Sequence, residues 1–372
     1  MKFTASSSAL SNQLQAIGRV INAKNTLPAL ECFLLSIEGK TLTITAADNE
    51  TTLEAILKLS ESDSDGQIAI SSKTLADALK EIPDQPLTFE INENTYEVCI
   101  KYMNGVYNMV GQNPEEYPSP AVLKENVVSF EINSDTLSEG ITRALFATAE
   151  DELRPVMNGI YFDINPEDLT FVASDGHKLV RNRLLSVNSQ GKSAFILPKK
   201  PASLLKSLLL KGTDNVSISF DERNAIFSMP GRRMVCRLIE GRYPNYNSVI
   251  PQNNPNRLTI DRLVMLSALR RVAVFSSQSS NLVKLRLKDN QIVISAQDLD
   301  FSTSAMETLT CQYDGNPMSI GFKSNFLIDI LANISGQEIV IQLADPSRAG
   351  VIVPAEQLEN EDLLMLLMPM ML

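Results

Sequence analysis

His177 is the one histidine of the chain, and it stands in Ser174-Asp175-Gly176-His177-Lys178-Leu179, where a hydroxyl, a carboxylate and an imidazole follow one another closely. Such a trio could run nucleophilic hydrolysis, the serine attacking while the imidazole takes its proton and the acid orients the ring. That chemistry also needs an oxyanion site, and the chain has no G-x-S-x-G elbow to supply one. Adjacency in sequence does not make the three groups meet, so His177 reads better as part of a turn or a cleft wall. Metal chemistry has fewer parts still. Cys32, Cys99, Cys236 and Cys311 are scattered without a C-x-x-C pair, and no EF-hand, metalloprotease, P-loop or dinucleotide fingerprint occurs. No catalytic residue, metal or cofactor is expected, and unpaired cysteines suit a reducing cytoplasm. The opening Met1 to Leu10 has no apolar run of signal-peptide length. The apolar stretch Leu363 to Leu372 is broken by Pro369 and falls well short of the ~20 residues that span a bilayer, so it is expected to be a strand or tail.

The elements that would carry these residues recur three times. Each copy opens with a short strand running into a helix: Lys2-Phe3-Thr4 then Ala9 to Val20, Ser129-Phe130-Glu131 then Thr136 to Ala149, and Arg257-Leu258-Thr259 then Leu263 to Phe275. The spacing is 127 from Phe3 to Phe130 and 128 from Phe130 to Leu258. A strand pair with period-two alternation follows, ending in a small-residue turn at Asp48, Asp175 and Asp298. A second helix is expected near Lys73, Lys199 and Lys323, and proline exits at Tyr117-Pro118 and Tyr243-Pro244 close the first two copies. A period of this length makes whole domains and not solenoid repeats. The expectation is an α+β chain of three similar domains, residues 1–127, 128–253 and 254–372, each with two helices against mostly antiparallel sheet. Equivalent positions for the three aspartates favour a common turn role over three catalytic ones.

A formal charge of -11 argues against nucleic acid until its distribution is considered. The six helix windows, residues 7–24, 73–81, 134–150, 199–211, 261–275 and 323–333, together carry +6, which leaves -17 on the strands and loops. Helices lining one surface would then show DNA a positive face, while the acidic remainder repels non-specific contacts. Aromatic residues at 6%, with no tryptophan, make a stacking platform for single strands or RNA a poor fit. These residues alone leave open a hydrolase centred on Asp175 and His177, or a multidomain scaffold that never encloses nucleic acid.

Several segments, in this order and at this spacing, resemble the β subunit of bacterial DNA polymerase III, the sliding-clamp family, over essentially the full length. They are Met1-Lys2-Phe3-Thr4, Thr26-Leu27-Pro28-Ala29-Leu30, Asn158-Gly159, Asp175-Gly176-His177-Lys178-Leu179, Gly241-Arg242-Tyr243-Pro244-Asn245-Tyr246 and Met368-Pro369-Met370-Met371-Leu372. The resemblance implies a non-enzymatic, cytoplasmic processivity factor. In it, three DNA-clamp domains per protomer would form a ring around duplex DNA as a head-to-tail homodimer. Tyr107 and Met109 on an edge strand, with Val274 and Phe275 at a helix end, would be the matching dimer surfaces. Polymerases, the clamp loader and repair proteins would dock peptides in a cleft lined by Arg154, Met157, Ser174, Gly176, His177, Lys178, Leu179, Pro244, Val249, Met368, Pro369 and Met370. Lys24, Lys73, Lys80, Lys199, Lys200 and Lys206 would face DNA. Ser248 and Met371 depart from the pattern, standing where arginines are often found, which puts polar contacts at the cleft rim in question.

Overall fold

The computed structural model describes residues 1–22, 27–124, 126–187, 189, 191–209, 212 and 214–372. Among these, six α-helices accompany almost exclusively antiparallel strands: α1 (Ser7–Ile17), α2 (Ser72–Lys80), α3 (Ser134–Leu145), α4 (Lys199–Leu208), α5 (Arg262–Ala273) and α6 (Ser324–Asn333). Side chains fix where they begin. Ser6 caps α1 by accepting the Ala9 N–H, and Asp261 caps α5 by accepting the Val264 N–H at 2.9 Å. At α3 the acceptor is Asn133, which takes the N–H groups of Asp135 and Thr136, so Asp135 serves the helix dipole without being its cap. In α5, Met265, Leu266, Leu269 and Val272 recur at helical spacing and are buried. The guanidinium of Arg262 crosses to the C-terminal end of α6, donating to Leu331 O and Gly336 O, where a cation offsets the unsatisfied carbonyls.

The described residues form two compact units, 1–138 with 203–238, and 139–202 with 239–372. The first holds a five-stranded and an eight-stranded sheet. The five-stranded sheet runs Glu61–Ser62, Lys2–Ser6, Pro86–Ile91, Glu97–Tyr102 and Gly105–Val110, ending on that last strand as an open edge. In the eight-stranded sheet, Arg232–Arg237 of the second sequence repeat pairs with Thr51–Lys58 of the first, from Arg232 opposite Ala55 to Cys236 opposite Thr51. The second unit repeats the device. Its nine-stranded sheet is continuous because Lys178–Leu184 pairs with Glu361–Leu367, from Lys178 opposite Leu367 to Leu184 opposite Glu361. Its four-stranded sheet ends on Thr303–Thr310, again an open edge. Sheets thus cross the repeat boundaries, which is why the units of compactness are not the units of repetition.

Alternation along each strand decides which face is covered. Leu42, Ile44 and Ala46 point into the core, as do Ile292, Ile294 and Ala296 two repeats later. Phe3 stacks on Phe89, and Phe162 packs between Phe171 and Phe195. No helix among the described residues is long and apolar enough to cross a membrane.

Candidate functional site

The turn that carries His177 is built around Asp175. Its Oδ1 accepts the N–H groups of His177 and Lys178 at 2.8 and 2.9 Å. Asp48 accepts from Glu50 and Thr51 in the same way, and Asp298 from Asp300 and Phe301. The three aspartates therefore share one structural task, an Asx-type turn between two strands. Ser174 Oγ donates to Lys178 O at 2.9 Å and accepts the Gly176 N–H. The hydroxyl proton is thus committed to a carbonyl and not to an imidazole, and the second oxygen of Asp175 is taken by Lys178 Nζ at 2.6 Å. Serine, acid and histidine are neighbours without forming a proton relay.

What the turn builds is a wall. Arg154 Nε donates to Asp151 at 2.8 Å, and its Nη2 reaches Asp175 O at 3.3 Å, tying the 151–157 loop to the turn. Gly176 sits beneath it at a φ of +89°, and a Cβ there would lie 2.8 Å from Arg154 Nη1. His177 O accepts the Met368 N–H at 2.8 Å, and Met370 N–H bonds Gly321 O, so the tail is laid along the turn and held at two points. Lys178 is buried, with its ammonium 4.2 Å from the centre of the Phe326 ring, which lies on α6. Burial opposes ionisation of Asp175, but the Lys178 ammonium and the two turn N–H groups outweigh it and hold the carboxyl below its usual range. Asp329 on α6 goes the other way, raised by burial despite the nearby Lys178.

Two apolar patches floor the region. Leu179, Leu366 and Ala349 form one, with Leu364 and Tyr246 packed against it. Val172, Ile196 and Tyr243 form the other, flanked by Val156, Tyr161, Ile239 and the same Tyr246. Tyr161 stacks on Tyr243 with centroids 4.7 Å apart and meets Tyr246 edge-on, while the Tyr246 hydroxyl donates to Asp163 at 2.7 Å. Burial pushes the Tyr243 and Tyr246 phenols far up, which fits rings used for their apolar bodies.

Met157, Ser174, Lys178 and Leu179 are thus buried and shape the floor, whereas Arg154, Gly176, His177, Pro244, Val249 and Met368 are exposed. Pro369 and Met370 are half-buried, and Met371 is almost fully exposed. Ser248 turns its hydroxyl back onto Asn245 O. The sequence reading did not single out Tyr161, Tyr246, Phe326 or Leu366 as site residues. Tyr243 carried a signal, since Tyr117 precedes a proline at the matching place of the first repeat and is buried there against Ala29, Leu30 and Ala47.

The basic candidates divide. Lys73, Lys80, Lys200 and Lys206 are exposed on α2 and α4. Lys199 is bound to Glu150 at 2.6 Å, which offsets its charge, and Lys24 lies outside the described residues. Arg19, just after α1, and Arg270, in the last turn of α5, are exposed cations that the sequence reading did not select. Tyr107 and Met109 lie on the open edge Gly105–Val110, pointing to its core side opposite Ile100 and Val98. Val274 and Phe275 project at the end of α5, 78% and 40% exposed.

Comparison with known proteins adds a consistent picture. A beta sliding clamp of Pseudomonas aeruginosa is 26% identical over 375 residues, spanning all of both chains, and one of Caulobacter vibrioides is 27% identical over 362 residues, covering 95% of this chain and 96% of its own. The crystal structure of the Pseudomonas aeruginosa DNA polymerase III subunit beta superposes with a TM-score of 0.94 at 26% identity, and a clamp of that organism bound to griselimycin gives 0.94 at 25%, each covering both chains completely. The N-terminal, central and C-terminal domain signatures of the DNA polymerase III beta subunit match residues 1–122, 131–245 and 247–371 in turn. With all three signatures present in order on an α+β chain of repeated modules, this chain belongs to the DNA polymerase III beta subunit family.

Proposed function

We propose that this chain is one protomer of a DNA sliding clamp, a head-to-tail homodimer that encircles duplex DNA and serves as a processivity factor in the cytoplasm. It makes and breaks no bond. Enclosure holds it on DNA, and the cleft between the Asp175 turn and the Met368–Met370 tail raises the local concentration of whatever protein docks there. The replicative polymerase, the clamp loader, other polymerases and repair proteins would bind through short peptides. Their apolar side chains would sit on Leu179, Leu366 and Tyr246, between Val249 and Met368. Methionine and tyrosine suit such a surface because it must accept several sequences. Exposed Lys73, Lys80, Lys200 and Lys206 support loose phosphate attraction, while Lys199 would contribute less because Glu150 holds it.

One observation carries the ring. In each joint inside the chain, the last strand of one repeat pairs antiparallel with the strand following the Asp turn of another. Two such strands keep one edge open in the described structure: Gly105–Val110, last strand of the first repeat, and Thr303–Thr310, which follows the Asp298 turn. They are the two halves of one further joint, and a second copy supplies it twice. A heterologous interface of this kind closes when its rotation does. Tyr107 and Met109 would then meet the core side of Thr303–Thr310 beside Val274 and Phe275.

The test is topological. The protein is loaded on nicked circular plasmid and the plasmid is then cut. A ring slides off the free ends, and retention on the linear DNA would sink the reading.

A further inference from the structure

The two joints within the chain fix the register of the one between copies. The pairing of Glu97 with Val110 repeats as Asn224 with Arg237, so Gly105–Val110 stands where Arg232–Arg237 stands in the next repeat. The Asp48 and Asp298 turns likewise align Thr51–Lys58 with Thr303–Thr310. Arg233 opposite Glu54 becomes Val106 opposite Met306, Met234 opposite Leu53 becomes Tyr107 opposite Ala305, and Val235 opposite Thr52 becomes Asn108 opposite Ser304. Sidedness agrees independently. Val106 pairs with Lys101, and Met306 with Ser295, which places both on the face away from the core.

On that outer face each within-chain joint carries an ion pair. Arg233 bonds Glu54 directly opposite at 3.0 Å in one, and in the other Arg181, opposite Leu364, reaches diagonally to Asp362 beside the apolar pair Leu179 and Leu366. At the open edges the counterparts of Arg233 and Glu54 are apolar and exposed, Val106 at 55% and Met306 at 69%, so no ion pair can form across them. The Asp298 turn is also two residues longer than the Asp48 and Asp175 turns before its strand begins, and the extra length carries Leu299 and Phe301, 80% and 76% exposed. In both internal joints a turn carbonyl, Glu50 O or His177 O, accepts an N–H at the end of the facing strand, from Arg237 or Met368. The counterpart of that donor is Val110, itself 70% exposed, which brings it under the Leu299 and Phe301 turn.

Building on the head-to-tail reading, we infer that the joint with a second copy of this chain is sealed on its outer face by an apolar seam. The seam runs Val106 against the partner's Met306 and Val110 beneath the partner's Leu299 and Phe301, in place of the ion pairs that finish the internal joints. An ion-paired joint weakens as salt screens it, whereas an apolar one holds or tightens.

Dimer dissociation is measured by sedimentation for the full chain at about 0.1 and about 1 M salt, where screening lengths are ~10 and ~3 Å. Wild type should be no weaker at the higher salt. Val106→Glu and Met306→Glu should each weaken the dimer about 100-fold, roughly tenfold for each of two identical joints, since each buries a charge against an apolar partner. The pair Val106→Arg with Met306→Glu copies the Arg233 and Glu54 arrangement. It should restore dimerisation at low salt and lose it at high salt. Single variants within about twofold of wild type, or a wild-type dimer that dissociates with salt, overturn the seam. A chain carrying both Asn108→Cys and Ser304→Cys, with Cys99→Ser because Cys99 lies directly opposite Asn108 and would capture the new thiol, separates the two ideas. Oxidative closure into covalent dimers combined with neutral Glu variants removes the seam and keeps head-to-tail pairing, whereas failure to cross-link removes both. Unchanged circular dichroism guards against misfolded variants.

Discussion

Gly176→Ala should damage the cleft by a route that can be followed atom by atom. An alanine at a φ of +89° costs about 1–2 kcal/mol in backbone strain. Its Cβ, 2.8 Å from Arg154 Nη1, would also force the guanidinium off Asp175 O. Arg154 is half exposed, so solvent screens that bond, and its loss costs about 0.5–1 kcal/mol. Together the two terms give roughly 1.5–3 kcal/mol against the turn that presents His177 O to Met368, or about 10- to 150-fold in peptide affinity. Fluorescence anisotropy with a labelled clamp-binding peptide reads this directly. A double-mutant cycle isolates the cause: in an Arg154→Ala background, Gly176→Ala should cost only the backbone part. Affinity within twofold of wild type, or an undiminished penalty without Arg154, would refute the reasoning.

Deleting Met368 to Leu372 removes the two bonds that lay the tail along the turn, those to His177 O and Gly321 O, and should abolish peptide binding and polymerase stimulation while leaving dimerisation intact. Unchanged peptide affinity in calorimetry would disprove the placement of the cleft. Asp175 gives a pH dependence of definite sign. Its folded carboxyl is held below the unfolded value near ~3.9, so its contribution is present above that value and lost as pH falls through the folded one. Asp175→Asn should therefore flatten the acid limb of unfolding free energy against pH, and equal limbs in variant and wild type would count against the Lys178 pairing.

The repeat made most secondary structure legible because every copy had to restate the same periodicities. The expected helices around residues 7–24 and 261–275 are present, although α1 stops at Ile17 and is followed by a 3-10 turn, Gly18–Val20. The local half of the site was legible too, since Asp175, Gly176 and Lys178 bond within one turn. The other half was not. Phe326 reaches Lys178 only because strand Lys178–Leu184 pairs with Glu361–Leu367, a long-range register that no local spacing encodes. The same limit hid Glu150 beside Lys199, which turned a candidate DNA contact into a paired charge.

Joint and cleft prove to be one device used more than once. Two of the three Asp turns offer a carbonyl to the N–H that ends a facing strand: Glu50 O to Arg237 at the first, His177 O to Met368 at the second. After the first donor the chain runs on from Arg237 to Tyr243, whose ring packs on Val172 and Ile196. At the second turn, the donor begins a tail that stays at the surface, with Met368 42% and Met371 97% exposed, and the groove beside it remains open to a guest. The third turn has the same Asp298 hydrogen bonds, and the strand after it keeps one edge open among the described residues. On the proposed reading, a partner peptide would use the second instance of the device and a second protomer the third. Peptide binding and ring closure should therefore be separable by mutation, because Met368 and Val110 are equivalent donors at different joints.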